Sequence, residues 1–339
     1  MRRMLTDRNH HILRELIELY TQTGEPVGSK ALVEHAGLEL SSATIRNIMA
    51  ELEEGGFLAS PHTSAGRVPT EAGYRYYAKG LVEVKGLEQR AKSALQQAIG
   101  QAPDLQRALQ QASSLLGELT GCASLVLTPT QANDPLETLD FIRLEHGRVL
   151  VVLVSRSGQV ENRMIQVPVD LAPGTLEKAA QQLNEVVRGL TIPEALERVV
   201  QALQQHRSAA DALLDQLMTP SLGFQDSRVV VSGSQRLFNS PALMRDQLAA
   251  LAQVFEEKRL LYALLNEVKN SAGVQIFVGA DCPLAVAKDC TMITAPYASQ
   301  DHRVVGTVGV IGPMRMNYQQ SVAAVDYTAK LLSTVLNRG

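Results

Sequence analysis

Apolar residues recur at helical spacing in the first part of the chain and predict three short helices. The first is expected over about 6–22, behind the N-cap Thr6, and Gly24 ends it. A second helix begins at Ser29, and a third ends at Glu54. Three compact helices with a short turn between the second and the third are typical of a helix-turn-helix.

The third helix separates into an apolar face and a polar face. Its apolar positions are expected to point into the core: Ile45, Ile48, Met49 and Leu52. Its polar positions near the N-terminal end are candidates for base contacts: Ser42, Thr44, Arg46 and Asn47. Arginine can bond guanine, and asparagine can bond adenine, through two parallel hydrogen bonds. On this helix alone, a merely solvated polar face is an equal alternative.

A wing is predicted directly after the third helix. A strand at 57–60, a polar turn and a returning strand at 67–68 form its two sides. Small or cationic side chains on it are expected to contact phosphate or the minor groove: His62, Thr63, Ser64 and Arg67. Thr70 then caps a further helix. Its rings are expected to pack in the core rather than to stack on bases: Tyr74, Tyr76 and Tyr77.

The pattern then passes through a helical region into antiparallel strands. A heptad-like stripe favours packing within a domain, with a dimer seam as the alternative: Leu105, Leu109, Ala112, Leu116 and Leu119. Strands are predicted at 123–128, 139–144, 149–155 and 160–167, helices at 174–189, 192–206 and 207–218, and a linker at 219–227. The last third predicts a strand at 228–232, a long helix over about 240–270, strands at 274–278, 290–296 and 304–311, and a final helix over about 315–337. This is an α+β pattern.

Length and charge refine this division. With 339 residues, the chain is expected to form two or three domains. Its net charge is −3, and residues 1–85 carry ten basic against eleven acidic side chains. Indiscriminate phosphate binding is therefore disfavoured, because that affinity comes from clustered positive charge. Specific binding requires the basic groups to share one face. The third helix is compatible with that condition, because its acidic residues at 51, 53 and 54 lie at the trailing end, away from the predicted base contacts.

Other functional classes find little support in the sequence. The three cysteines, Cys122, Cys282 and Cys290, form no CxxC and are expected to be buried thiols in a reducing cytosol. We expect no membrane span and no secretory signal, and hence a cytoplasmic protein. The glycines of 306–312 do not open a helix in a βαβ unit, so they make a weak dinucleotide site. No catalytic set, metal site or cofactor site is predicted.

Several long strings in the chain resemble one known family. They are GEPVGS at 24–29, SATIRNIMAELE at 42–53, TSAGRVPT at 63–70, GTVGVIGPMRMNYQ at 306–319 and VDY at 325–327. In this order they are similar to the signatures of HrcA, the bacterial heat-inducible transcription repressors. The resemblance extends over nearly the whole chain, although 85–225 matches by pattern rather than by string.

The resemblance implies an α+β multidomain fold in three parts. These are a winged helix-turn-helix DNA-binding domain at 1–82, a GAF-like α+β domain at 83–136 and 226–339, and an inserted dimerisation domain at 137–225, built from a three-stranded antiparallel sheet and helices. It further implies a homodimer that binds an inverted-repeat operator in double-stranded DNA and represses heat-shock chaperone genes. The chaperonin GroEL is the implied partner that favours the active form. A two-fold dimer presents two recognition helices, so the operator should be palindromic.

Two other functions compete with the repressor. A small-molecule-sensing winged-helix regulator would bind its ligand in the GAF-like domain, although the sequence offers no clear polar cluster for one. An enzyme with a DNA-binding appendage would need a convergent set of acid, base or nucleophile, and none is visible. The sequence therefore favours a repressor without enzymatic activity.

Overall fold

The computed structural model describes most of the chain between residues 5 and 336. The residues outside the described set are 1–4, 37–39, 62–65, 83–85, 129–134, 157, 159, 168–173, 193, 196–197, 199–228, 239–244, 257, 270, 272, 283–288, 300–303 and 337–339. The predicted helix at 207–218, most of the one at 192–206 and the predicted linker at 219–227 fall there. Two compact units make up the chain: residues 1–129 with 227–339, and residues 130–226.

The first unit begins with the predicted three helices and wing. Its elements are α1 Asp7–Thr23, α2 Ser29–Ala36, α3 Ser42–Glu54, β1 Leu58–Ala59, β2 Val68–Pro69 and α4 Glu71–Gly80. Thr6 caps α1 by accepting the Asn9 N–H, and Gly24 ends the helix in the left-handed conformation, with φ at 75°. The strands β1 and β2 pair antiparallel. These elements form the winged-helix arrangement that the sequence predicts.

The rest of the first unit is an antiparallel sheet between layers of helices. Its elements are α5 Gln89–Gly100, α6 Leu105–Thr120, β3 Ala123–Leu127, β7 Val229–Ser232, α8 Ser234–Phe238, α9 Arg245–Glu256, α10 Lys258–Val268, β8 Gln275–Val278, β9 Cys290–Ala298, β10 Val304–Pro313 and α11 Tyr318–Leu336. The strand order is β7-β3-β10-β9-β8, with every neighbouring pair antiparallel. One face packs in a cluster with α5, α6 and α11, and the other packs with α9 and α10.

The strands β3 and β7 are adjacent although a long segment of chain separates them. Leu127 at the end of β3 lies opposite Val229 at the start of β7. Residues 130–226, the second unit, are therefore inserted between two neighbouring antiparallel strands.

The second unit contains a three-stranded antiparallel sheet with one helix-covered face. Its described elements are β4 Leu136–Arg143, β5 Arg148–Ser155, β6 Val160–Gln166 and α7 Thr175–Val187. Alternate strand residues pack with α7: Leu139, Phe141, Val149, Val151, Leu153 and Ile165. The strand order β4-β5-β6 follows the chain, as expected for consecutive antiparallel strands, whereas the strand predicted at 123–128 belongs to the five-stranded sheet as β3.

The structure adds detail to two parts of the sequence pattern. Within the helix predicted over 240–270, the structure describes helix at Arg245–Glu256, which is α9, and at Lys258–Val268, which is α10, and residue 257 lies outside the described set. The short α8 was not predicted. In the heptad-like stripe, Leu109, Ala112 and Leu116 are buried, whereas Leu105 is 37% exposed. Because α6 packs against α5, α11 and β3, the stripe is core packing within the unit.

Candidate nucleic-acid interface

The recognition helix α3 presents Arg46 and Asn47 to solvent. Ser41 caps the helix, accepting the Thr44 N–H at 3.1 Å. The predicted apolar face is confirmed as core, because its four residues are at most 7% exposed: Ile45, Ile48, Met49 and Leu52. Both Arg46 and Asn47 are exposed. Burial of one face thus turns these two long polar side chains outward, where they can reach base edges.

The two hydroxyl residues among the predicted base contacts already have partners. Ser42 Oγ lies 2.9 Å from Ser29 Oγ, a hydrogen bond that joins the starts of α2 and α3. Thr44 Oγ1 lies 2.9 Å from Ser41 Oγ. Both side chains are half-buried. Both hydrogen bonds therefore stabilise the turn of the helix-turn-helix. A contact of Ser42 or Thr44 with DNA stays a prediction.

The base of the wing is joined to the recognition helix by one carboxylate. Glu53 accepts a hydrogen bond from Ser60 Oγ at 2.7 Å and pairs with Arg67 Nε at 2.8 Å. The Ser60 hydrogen bond and then the Arg67 charge lower the pKa of the Glu53 carboxyl. Arg67 also pairs through its backbone with Val27, with both hydrogen bonds at 2.9 Å.

This pairing changes the interpretation of Arg67. The side chain is 27% exposed, and its Nε is engaged by Glu53. A guanidinium carries five N–H donors, so the remaining ones can still bond a phosphate. Sequence reasoning missed the pair because Glu53 and Arg67 lie on different elements, with no periodic signal between them. The wing-tip candidates His62, Thr63 and Ser64 lie outside the described residues.

The tyrosines of α4 pack rather than face DNA. Tyr74 and Tyr77 are 4% and 2% exposed, and their rings contact Tyr318 of α11. The Tyr76 hydroxyl lies 2.7 Å from His10 Nε2. The predicted packing role of this cluster is therefore confirmed.

A small pocket lies beside this aromatic contact, where α1 and α4 meet the start of α11. Its volume is about 90 Å³, and its lining includes Glu18, Tyr77, Asn317 and Gln319. Typical ligand pockets are about 300–1,000 Å³. The space suits water or a small ion better than an effector of metabolite size.

Metal ligands and membrane-spanning helices bear on alternative functions. Within the described ranges, no group of three or more His, Cys, Asp or Glu side chains is placed to hold a metal ion. In the same part of the chain, every helix is too short or too polar to cross a bilayer.

Comparison with known protein families gives two matches along the chain. Residues 4–79 match the family described as "Winged helix-turn-helix transcription repressor, HrcA DNA-binding". Residues 106–322 match "HrcA protein C terminal domain". The first match contains the helices and wing described above, and the second contains most of the remaining chain.

Similar proteins match over the full length. A heat-inducible transcription repressor HrcA from Laribacter hongkongensis is 39% identical over 98% of this chain and 96% of its own. One from Chromobacterium violaceum is also 39% identical, over 98% and 99%. A crystal structure of a hypothetical protein shares the fold, with a TM-score of 0.63, 23% identity and 99% coverage of both chains.

Proposed function

The chain belongs to the HrcA family of heat-inducible transcription repressors, and we propose that it represses chaperone genes as a homodimer on an inverted-repeat operator. Membership makes it a DNA-binding regulator rather than an enzyme. The observation that carries the operator proposal is the exposed pair Arg46 and Asn47 on a recognition helix whose opposite face is buried. We place the protein in the cytoplasm, where its operator would be.

In this proposal the two exposed residues read bases. Arg46 would bond a guanine and Asn47 an adenine, with Ser42 and Thr44 nearby. Arg67 and the wing-tip residues His62, Thr63 and Ser64 would contact the backbone or the minor groove.

Replacement of Arg46 by alanine tests the base-reading role. We expect a loss of about 1–3 kcal/mol in operator binding and relaxed selectivity at one operator position. Binding is measured by fluorescence anisotropy on duplexes that the wild-type protein selects from a pool of inverted repeats. The control is Arg107→Ala, which removes an exposed charge from α6, away from the helix-turn-helix. Unchanged affinity in Arg46→Ala would exclude it as a base contact.

We divide the chain into three functional parts. The winged helix takes 1–82, and a GAF-like domain takes 83–136 and 226–339. A dimerisation domain at 137–225 is inserted into it. The five-stranded antiparallel sheet between helical layers supports the GAF-like assignment. The position of residues 130–226 between β3 and β7 supports the insertion.

An apolar surface on the second unit supports the dimer. Ile142, Val160 and Met164 are 48%, 61% and 54% exposed. Ile142 and Met164 both lie opposite Leu150, so Ile142, Leu150 and Met164 form one row across the sheet. Val160 lies four residues before Met164 on β6 and therefore on the same face. Exposed apolar patches of this kind mark sites of protein association. A second copy of the chain bound to this face would give a dimer that carries two winged helices.

Chaperonin dependence would make repression conditional on heat. Folding stability is marginal, so modest warming lowers the fraction of folded dimer. GroEL would return the repressor to its active form until unfolded clients occupy the chaperonin. Operator occupancy measured at rising temperature, with and without GroEL and ATP, tests this. Two identical occupancy curves would contradict chaperonin dependence.

A further inference from the structure

The helix that follows the wing is tied by charge to the five-stranded part of the same unit. Asp281 lies in a short 3-10 turn, Gly279–Asp281, directly after β8. Its Oδ2 accepts a hydrogen bond from Lys79 Nζ at 2.8 Å and lies 3.2 Å from Arg75 Nε. A single carboxylate thus receives two cations from successive turns of α4.

The same turn is tied to α4 by a second carboxylate in the reverse direction. Glu71 Oε1 accepts the Ala280 N–H at 2.8 Å and also pairs with Arg75. Gly279, at φ +60°, lies so close that a Cβ there would fall 2.3 Å from the Glu71 carboxylate. The positive φ favours glycine there, and an alanine methyl group would displace the Glu71 carboxylate from its place against the turn.

Aromatic packing fixes the helices at a second place. The Tyr318 ring of α11 lies 6.1 Å from the Tyr74 ring and 5.6 Å from the Tyr77 ring, centroid to centroid. Glu18 of α1 accepts hydrogen bonds from the Tyr77 hydroxyl at 3.2 Å and from Gln319 Nε2 at 2.9 Å. The charged contact at Asp281 and the aromatic contact at Tyr318 lie at separate places along α4. Together they restrict rotation of the helix more than either contact would alone.

This docking leaves the DNA-reading side open. Arg46 and Asn47 remain exposed while α4 and the end of α1 are engaged. The contact therefore does not block base reading, and its effect is on the direction in which α3 points.

We propose that Asp281 and Gly279 are specificity-determining residues of DNA binding, although they touch no DNA. By clamping α4 they fix the direction of α3 relative to the five-stranded sheet. In a symmetric dimer, that direction sets the half-site spacing that both recognition helices can engage together. The inference rests on the proposed function, because only a dimer on an inverted repeat has a spacing to select.

The physical alternative is a winged helix on a flexible tether. On a flexible tether, the second winged helix binds its half-site at an effective concentration near the first. That concentration changes only gradually with the distance between the half-sites. A tethered reader therefore accepts many spacings. A clamped reader accepts few, because adding about 5 base pairs turns one half-site to the opposite side of the duplex.

The experiment measures spacer preference in the full-length protein. A duplex pool carries inverted repeats of randomised half-sites around central spacers of about 0–20 base pairs, covering two helical turns. Bound duplexes are sequenced for wild type and variants. Affinities for the best spacer, for the same repeat lengthened by about half a turn, and for one isolated half-site are then measured by anisotropy.

Two variants open the clamp, and each has a matched control. Asp281→Ala removes the shared carboxylate, and Asp326→Ala removes one from the ion pair with Lys330 at 2.6 Å within α11. Gly279→Ala places a methyl group against Glu71, whereas Gly273→Ala adds the same group at φ +66° with no atom within 4 Å. Thermal unfolding of all four variants checks that each is folded at the assay temperature.

We expect Asp281→Ala and Gly279→Ala to lower the preference for the best spacer by about threefold to tenfold, a range set by partly exposed ion pairs. Their affinity for an isolated half-site should stay as in wild type, and both controls should keep the wild-type profile. Profiles of the clamp variants identical to wild type would overturn the inference, as would a wild-type protein without spacer preference. A wild type that enriches no inverted repeat would instead overturn the proposed operator function, and the inference with it.

Discussion

The two antiparallel sheets of this chain differ in what covers them. On β9, the adjacent residues Met292 and Ile293 point to opposite faces, and both are 0% exposed. On β6, Ile165 is 4% exposed, whereas its neighbour Met164 is 54% exposed. Strand pairing is alike in the two sheets, so pairing does not distinguish them. The difference indicates that the first sheet is complete within one chain and the second has an apolar face that suits a partner.

The test of this difference with the largest expected effect on stability truncates buried side chains of β9. Met292→Ala and Ile293→Ala should each lower the free energy of unfolding by about 2–5 kcal/mol, because each leaves a cavity in a packed layer. Urea unfolding monitored by circular dichroism measures both. The matched change is Met164→Ala on the exposed face, which should cost under about 0.5 kcal/mol in the monomer. A loss in the free energy of unfolding below about 1 kcal/mol for either β9 variant would show that its face of the sheet is not tightly packed.

A charge on the exposed face should separate the protomers without unfolding them. Met164→Glu would place a carboxylate in the proposed dimer contact, and we expect dimer affinity to fall by at least about a hundredfold, as for an unpaired buried charge. Analytical ultracentrifugation at micromolar concentration measures the association. Operator affinity should fall with it, while the circular dichroism spectrum is retained.

The control for this variant is Gln181→Glu. It adds the same charge at an exposed position of α7, the helix that covers the other face of the sheet. It should leave association unchanged. A Met164→Glu protein that remains fully dimeric would place the dimer contact elsewhere.

The test with the smallest expected effect uses alkaline pH, at which thiols ionise. It probes the first unit alone, because all three cysteines lie there. Burial raises the pKa of the Cys122 thiol from 9.0 to about 11, and burial likewise raises the pKa of Cys290 to about 12. A raised pKa in the folded state means that the stabilising contribution is complete below pH about 9 and is lost as pH rises through 11.

At pH about 10.5, Cys122 should account for about 2 kcal/mol of the alkaline loss in the free energy of unfolding. Urea unfolding at pH 8 and 10.5 should therefore show a shallower decline for Cys122→Ala than for wild type. Equal declines would mean that the thiol ionises as readily in the folded protein as in the unfolded one.

Local pattern predicted the recognition helix well, for physical reasons. Its N-cap and its apolar positions at a 3.6-residue period are properties of one short segment, so the outward direction of Arg46 and Asn47 could be read from the sequence. Periodicity likewise predicted helix across 240–270, where α9 and α10 are described, whereas the short helix Ser234–Phe238 spans too few residues to give a periodic signal.

Contacts between distant segments left no such local signal. Glu53 was assigned to the trailing end of α3, yet it holds Arg67 at the base of the wing. Asp281 and Lys79 are far apart in sequence and meet only in the folded unit. Ion pairs of this kind depend on tertiary placement, and a single sequence gives no periodicity from which to infer them.

The pairing of Leu127 with Val229 has a consequence for how this protein could have arisen. Viewed from the five-stranded sheet, residues 130–226 are an enlarged loop between two neighbouring antiparallel strands, which a two-residue hairpin turn can also connect. An ancestral gene without that segment would already have encoded all five strands of that sheet. Acquisition of the segment would then have added the proposed subunit contact while β3 and β7 stayed paired, and the same junction is where a protein engineer could exchange one inserted module for another.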